Sequence, residues 1–417
     1  MKTALAITAL SFFLVAFTNC SGGAKALQWD NSQTIIDPPP TPTPNPNEPA
    51  ACAPSAVHFI EQTAGLNRHD LAIDGNGVLY SASTAGNSIS IRYSRDGGTT
   101  WMNAPALPGI SGTTTPIRLH IAASPTNKLY VIAYGSNLGG QATQFVWRAV
   151  EPGGVWTNLE AASNAHHYRD IHVDNQENIF AVGSRTNAGA QSGWYIRRSQ
   201  DGAAFTTTDF IADQAGTQKT PFALTVTSDE NGIIYVGGVT SMPGTLYEMW
   251  TLRRSTDRGV SFQTVDTYLS AMPTWSTLLS ISVKAGTVYT TGQAGELVNG
   301  QAYPYLNRWI TRVGSVTYST TQRLPVNPTE ASVLSGRKIL ADSRGRVFMV
   351  GYKGPTNFIA SDFIAQVSKD QGQTWLPVYS EAASGNFDGD QQADEIVVDK
   401  SGQLIISRAD GIRAVCY

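Results

Sequence analysis

Leu71-Ala72-Ile73-Asp74-Gly75-Asn76-Gly77-Val78-Leu79-Tyr80 is an apolar strand, a tight turn and a second apolar strand. Asn76-Gly77 supplies the positive φ that such a hairpin requires. The same pair returns about every 50 to 58 residues, as Leu119-His120-Ile121 with Leu129-Tyr130-Val131 and as Ile171-His172-Val173-Asp174 with residues 179–183. Four more copies follow, led by Leu224-Thr225-Val226, Ile281-Ser282-Val283, Ile339-Leu340-Ala341-Asp342 and Ile396-Val397-Val398-Asp399. A period of this length is that of a propeller blade. Seven copies therefore predict an all-β chain folded as a seven-bladed β-propeller of four-stranded blades.

Composition points the same way. Glycine (39), tyrosine (16) and tryptophan (9) are plentiful, and long amphipathic helical patterns are lacking. A formal net charge of −3, with 15% charged residues, excludes the concentrated basic surface that a nucleic-acid binder needs.

The seventh copy stops one strand short. Ile412-Arg413-Ala414-Val415-Cys416-Tyr417 is its third strand, whereas Ala56-Val57-His58-Phe59-Ile60 is a strand without a blade. Pairing the two closes the ring and removes two exposed edges. Cys416 then falls beside Cys52, and in an exported protein the two are a candidate disulfide, with two unpaired thiols as the alternative.

Third strands run into a second motif. Residues 94–101 and 368–375 both read S-x-D-x-G-x-x-W, residues 255–262 carry Phe262 in place of Trp, and residues 199–205 are a shortened copy. With the repeat, these stretches resemble the Asp-box (bacterial neuraminidase) repeat of sialidase-like propellers, over about residues 54–417. The resemblance implies turns between third and fourth strands, away from the ligand face. Asp96, Asp201, Asp257 and Asp370, with Trp101, Phe205, Phe262 and Trp375, are then structural. The carboxylate takes turn N–H groups, Gly permits the turn and the ring packs inward. Sialidases of this fold also use an arginine triad, a Tyr–Glu nucleophile pair and an acid/base Asp. Their first-blade Arg-Ile-Pro signature is absent here, and no Tyr–Glu pair is assignable.

Residues 1–19 have the charge and apolar run of a signal peptide, too short to span a membrane. Their end resembles a bacterial lipoprotein signal, which implies lipidation of Cys20; plain secretion is the alternative. Residues 20–51 include Pro38-Pro39-Pro40-Thr41-Pro42-Thr43-Pro44-Asn45-Pro46, an extended linker. The propeller is expected over 52–417. These features predict a lipoprotein of the cell envelope, with the outer membrane or cell surface favoured and a secreted or periplasmic protein as the alternative; a monomer is expected.

The starts of the first strands in blades one to three are polar: Arg68-His69-Asp70, Arg118 before His120, and His166-His167-Tyr168-Arg169-Asp170. Arg suits carboxylate recognition, and His and Asp suit proton transfer. Arg68, His69, Asp70, Arg118, His166, His167, Tyr168, Arg169 and Asp170 are thus ligand-binding candidates. The competing reading is structural: Asp70, Asp170 and Asp394 recur at like positions, each fixing its own blade. Asn386, Asp388, Asp390, Gln392 and Asp394 place oxygens at alternate positions and resemble the calcium loop of FG-GAP/VCBS-type repeats, which implies one structural calcium ion.

The expected function is a non-catalytic lipoprotein that holds a glycan or an envelope protein on its polar face. The alternatives are a glycoside hydrolase or lyase working from the Arg/His/Asp cluster, and a periplasmic assembly scaffold. Fold alone does not separate them.

Overall fold

Twenty-eight strands form seven four-stranded antiparallel sheets, and no helix occurs among the described residues. The computed structural model describes residues 57–62, 68–85, 88–108, 118–136, 142–162, 166–187, 190–213, 220–242, 245, 247–269, 275–298, 301–323, 332–355, 362–381, 395–408 and 411–415. All the blades lie within the compact unit Pro49–Tyr417. Cys20, Cys52, Cys416 and the expected calcium loop at 386–394 lie outside the described residues.

The first strands of blades one to seven are Arg68–Ile73, Arg118–Ala123, His166–Val173, Phe222–Ser228, Ser276–Lys284, Ser332–Ala341 and Glu395–Val398. Each packs against the first strand of the next blade, and the seventh packs against the first, so the ring is closed. These strands surround the central channel.

Side chains alternate across each strand, so one strand feeds two inter-blade cores. In blade three, Ile179 and Ala181 pack with Tyr130 and Ile132 of blade two, while Phe180 and Val182 pack with Val226 and Ile234 of blade four. Second strands are covered on both sides and read as continuous apolar runs; all eight residues of Ile234–Ser241 are buried. Fourth strands meet solvent, as the largely exposed Leu376–Glu381 does.

Closure follows the predicted pairing. Val57–Gln62 is antiparallel to Gly411–Val415, with Val57 opposite Val415, as the fourth strand of the seventh blade. Leu71 and Leu79 of blade one share a core with Val397, Ile405 and Ile412 of blade seven.

An arginine–carboxylate latch recurs between blades. Arg312 donates to both oxygens of Asp266, at 2.9 and 2.7 Å. Arg197 pairs with Glu160, and Arg253 with Asp209 at 2.7 Å. At the closing blade, Glu381 holds Arg408 at 2.7 Å and the fully buried Arg413 at 3.2 Å. In each case an arginine of one blade grips an acid from the outer strand of the preceding blade. Bidentate guanidinium geometry suits this role better than a lysine would.

The S-x-D-x-G-x-x-[WF] stretches close their own turns. Asp96 accepts the Thr100 N–H at 2.8 Å and its hydroxyl at 2.6 Å, while Ser94 Oγ donates to Asp96 at 2.7 Å. Asp257 and Asp370 repeat the pattern with Ser261 and Thr374. These hydrogen bonds, led by the one from the Thr or Ser hydroxyl, hold all three carboxyls down to about 2. Asp201 lacks that hydroxyl and instead accepts from Lys128 at 3.0 Å.

Candidate binding face and channel collar

Six hairpins between first and second strands close on a turn residue at 74, 124, 174, 229, 342 or 399. Asp74 Oδ1, for example, accepts the N–H groups of Asn76 and Val78 at 2.9 Å each. Four residues before these six positions stand Asp70, His120, Asp170, Thr225, Lys338 and Glu395, and Ser280 of blade five, whose hairpin turns at Ala285-Gly286, completes the ring. In blades three to six a bulge immediately precedes the ring residue. Bulges of this kind re-aim side chains.

Ring residues clamp one blade to the next. Asp70 accepts the N–H of Leu71 with Oδ1 and that of Ile121, in blade two, with Oδ2, both at 2.9 Å. Asp170 does the same for Ile171 and for Val226 of blade four, at 2.8 Å each. Ser280 accepts the N–H of Ile339 in blade six at 3.2 Å. The channel-side edge of a first strand has N–H groups without a ladder partner, and these side chains satisfy them. Asp70 and Asp170 therefore join neighbouring blades and do not merely fix their own. The seventh-blade equivalent is Glu395, four residues before Asp399, and not Asp394.

Across the channel the ring becomes a charged collar. Lys338 of blade six forms an ion pair with Glu395 of blade seven. Burial works against the Lys338 charge, but Glu395, Asp170 and Asp70 outweigh it and raise its pKa. Glu395 is raised by burial, with Lys338 opposing. Asp170 is raised by burial too, opposed by Lys338 and His120. His120 Nδ1 stands 3.4 Å from Asp70 Oδ2. The collar is enclosed by blade walls yet keeps a wet inner edge, with the Lys338 and Glu395 side chains 20% and 21% exposed. One residue pair further along, His172 shares a 2.8 Å hydrogen bond with Ser228 Oγ, and burial lowers its pKa to about 4.

The sequence-derived candidates divide. Asp70 and Asp170 meet in the collar with His120. Arg68, Arg118 and His166 open three adjacent first strands, so the topology gathers them at one end of blades one to three. The side chains of Arg68, His69, Arg118 and His166 lie outside the described ones. His167 is half-buried. Tyr168 is 1% exposed and donates to Glu160 at 2.8 Å, in the core between blades two and three, so it does not reach the face. Its position before the bulge turns it into that core. Arg169 is the bulged residue itself, and its Nε is buried with no partner. Arg185, opposite His166 on the second strand, has an unpartnered Nε as well. Neither guanidinium has a hydrogen bond or ion pair among the described residues.

Lys338 and Glu395 escaped the sequence reading. Counting four back from each of the six turn residues would have found them, because those six strands keep that register.

No protein-family model matches the sequence, and a search of curated proteins found no match. Solved structures are similar in fold. An ulvan lyase, a polysaccharide lyase bound to -[GlcA(1-4)Rha3S]-, is 10% identical with a TM-score of 0.52, over 88% of this chain and 97% of that one. A Penicillium chrysogenum α-L-arabinanase complexed with arabinobiose is 10% identical with a TM-score of 0.46, over 88% and 98%. A protein of unknown function from Dyadobacter fermentans is 13% identical with a TM-score of 0.43, over 72% and 94%. At these identities the likeness is one of fold: the chain is a seven-bladed β-propeller.

Proposed function

We propose that this propeller is an exported binding protein, held at an envelope membrane by a lipid on Cys20, whose strand-start face takes a glycan without cleaving it. One observation carries the reading. Arg169 and Arg185 have no partners among the described residues, while Asp70 and Asp170 use both oxygens on backbone N–H groups. A general acid or base needs a free oxygen at the substrate, and these carboxylates are committed to the fold. Guanidinium groups not spent on the described residues suit a carboxylate or sulfate on a sugar. The ulvan lyase of similar fold is bound to a charged oligosaccharide of that kind.

A second reading rests on the Asp70–His120 contact, because His120 is 26% exposed and leaves Nε2 free to move a proton in hydrolysis or elimination. The test is glycan-array binding together with a panel of chromogenic glycosides and polysaccharides, on wild type and Arg169→Ala. Binding of acidic glycans that drops at least tenfold in the variant, about 1.4 kcal/mol, is expected. Turnover abolished by His120→Ala would replace the binding reading with the enzymatic one. An array on which wild type retains no glycan would discard both, leaving the protein-docking alternative.

A further inference from the structure

The mouth of the channel at the opposite end, where the hairpins between first and second strands sit, contains a cavity of about 350 Å³ between blades six, seven and one. That is near the lower bound of small-molecule sites, about 300 Å³. Its wall is aliphatic, formed by Ile73, Leu340, Val397 and Val398. Three of these, Ile73, Leu340 and Val398, remain partly exposed in a ring whose other apolar side chains are mostly covered. Around the remaining channel the matching positions are mixed: His172, Thr227, Ser228 and Ser282 are polar, whereas Ala122, Ala123, Val173 and Val283 are apolar. The two bulkiest side chains at these positions, Ile73 and Leu340, both belong to the cavity wall.

The rim charges sort into spent and unspent groups. Asp74 accepts from the turn N–H groups of Asn76 and Val78 with one oxygen and from Tyr80 with the other, at 2.9 Å. Asp342 accepts from the N–H groups of Arg344 and Arg346, and its second oxygen takes Arg346 Nε at 2.7 Å. Asp399 is different: Ser401 Oγ and the Gln403 N–H both go to Oδ1, which leaves Oδ2 without a partner among the described residues. Lys400 lines the cavity and has no ion pair or hydrogen bond among the described residues. Its alkyl chain is held over the blade-one hairpin, so close that a Cβ at Gly77 would stand 2.9 Å from Cε. The Ser343 hydroxyl lies on the same rim and has no hydrogen bond among the described residues.

One negative charge, one positive charge and one hydroxyl thus remain beside an aliphatic wall. From this residual valence we infer that the cavity is a second binding site, for a short aliphatic peptide or amino acid with free ends. Its ammonium group would meet Asp399 and its carboxylate Lys400, while its side chain would cover Ile73, Leu340 and Val397. A purely anionic amphiphile fits less well, because Asp74 and Asp342 lie on the same rim.

Calorimetric titration of the intact protein with L-leucyl-L-leucine tests this, with glycylglycine and N-acetyl-leucine amide as controls. The aliphatic dipeptide is expected to bind at least tenfold more tightly than either control, since one lacks the side chains and the other the charges. Lys400→Gln, an exposed substitution that leaves the fold intact, is expected to weaken the dipeptide at least tenfold. Leu340→Phe, which fills the cavity, is expected to abolish binding at an unchanged unfolding midpoint. Absence of binding by folded wild type, or binding that Lys400→Gln leaves unaltered, would overturn the inference. Arg169→Ala should leave dipeptide binding intact and Lys400→Gln should leave glycan binding intact, so failure at one face is separable from failure at the other.

Discussion

Replacing Lys338 with methionine removes the cation that three carboxylates of the collar share. Lys338 is paired with Glu395 and also feels Asp170 and Asp70 through the channel. Removing one partner of a buried pair costs about 3–5 kcal/mol, because the other charge stays behind in a poor solvent. Here about a fifth of each side chain is wet. Water can therefore take up part of the stranded charge, which lowers the expected loss to about 2–3 kcal/mol.

The sign of the pH dependence is fixed by Glu395. Burial raises its pKa above the ordinary value of 4.5, and without Lys338 only the hydrogen bond from the Ile396 N–H opposes the rise. A carboxyl raised in the folded state holds its proton there while the unfolded chain releases it. Its penalty is then absent below about 4.5 and grows as pH rises toward the folded value. Lys338→Met should consequently be closer to wild type at pH 5 than at pH 8. Urea unfolding followed through the nine tryptophans measures both. Lys338→Met combined with Glu395→Gln should recover most of the loss, because the carboxylate directly paired with Lys338 goes with it while Asp70 and Asp170 keep their backbone N–H groups. An equal deficit at the two pH values, or a double variant no more stable than the single one, would refute the electrostatic account of the collar.

Other outcomes follow from the same structure. Asp266→Ala strands Arg312 in a latch whose side chains are 9% and 12% exposed, and should cost about 3 kcal/mol in urea unfolding; a loss under about 1 would show the latch to be incidental. Gly259 (φ 79°) would place a Cβ 2.2 Å from Phe180 Cε1, whereas Gly286 (φ 74°) has open space. Gly259→Ala should therefore cost about 3 kcal/mol and Gly286→Ala about 1, and equal losses would contradict the packing. His172 is lowered by burial to about 4, so the unfolded state binds the proton first on acidification. Stability should fall between about pH 6.5 and 4, by up to about 3 kcal/mol, and His172→Asn should flatten that slope if the argument holds. We propose, on the sequence resemblance alone, that the loop at 386–394 binds Ca²⁺: titration should give a signal for wild type and none for Asp390→Ala, and the same signal in both would remove it as the site.

Much of the fold was legible because its information is local and repeated. The turn residues 74, 124, 174, 229, 342 and 399 announce each hairpin, and alternation along 179–182 is enough to feed two cores. Even the closing strand could be found by counting, since one blade lacked a strand and one strand lacked a blade. The turn-closing role of Asp96, Asp257 and Asp370 was legible as well, because the donors lie within four residues.

The site was legible only in part, since its partners are far apart in the chain. Nothing near Asp170 in the sequence indicates that its carboxylate holds the N–H of Val226 or faces Lys338 across the channel. Tyr168 and Arg169 are adjacent and equally polar in appearance, yet one enters the core and the other is set apart by a bulge. By itself the sequence determined that seven like sheets form, because backbone pairing and alternation are properties of each segment. Which charges face one another, which are spent and which are left over was decided by bending those sheets into a ring, because only closure brings blades three, six and seven to one channel.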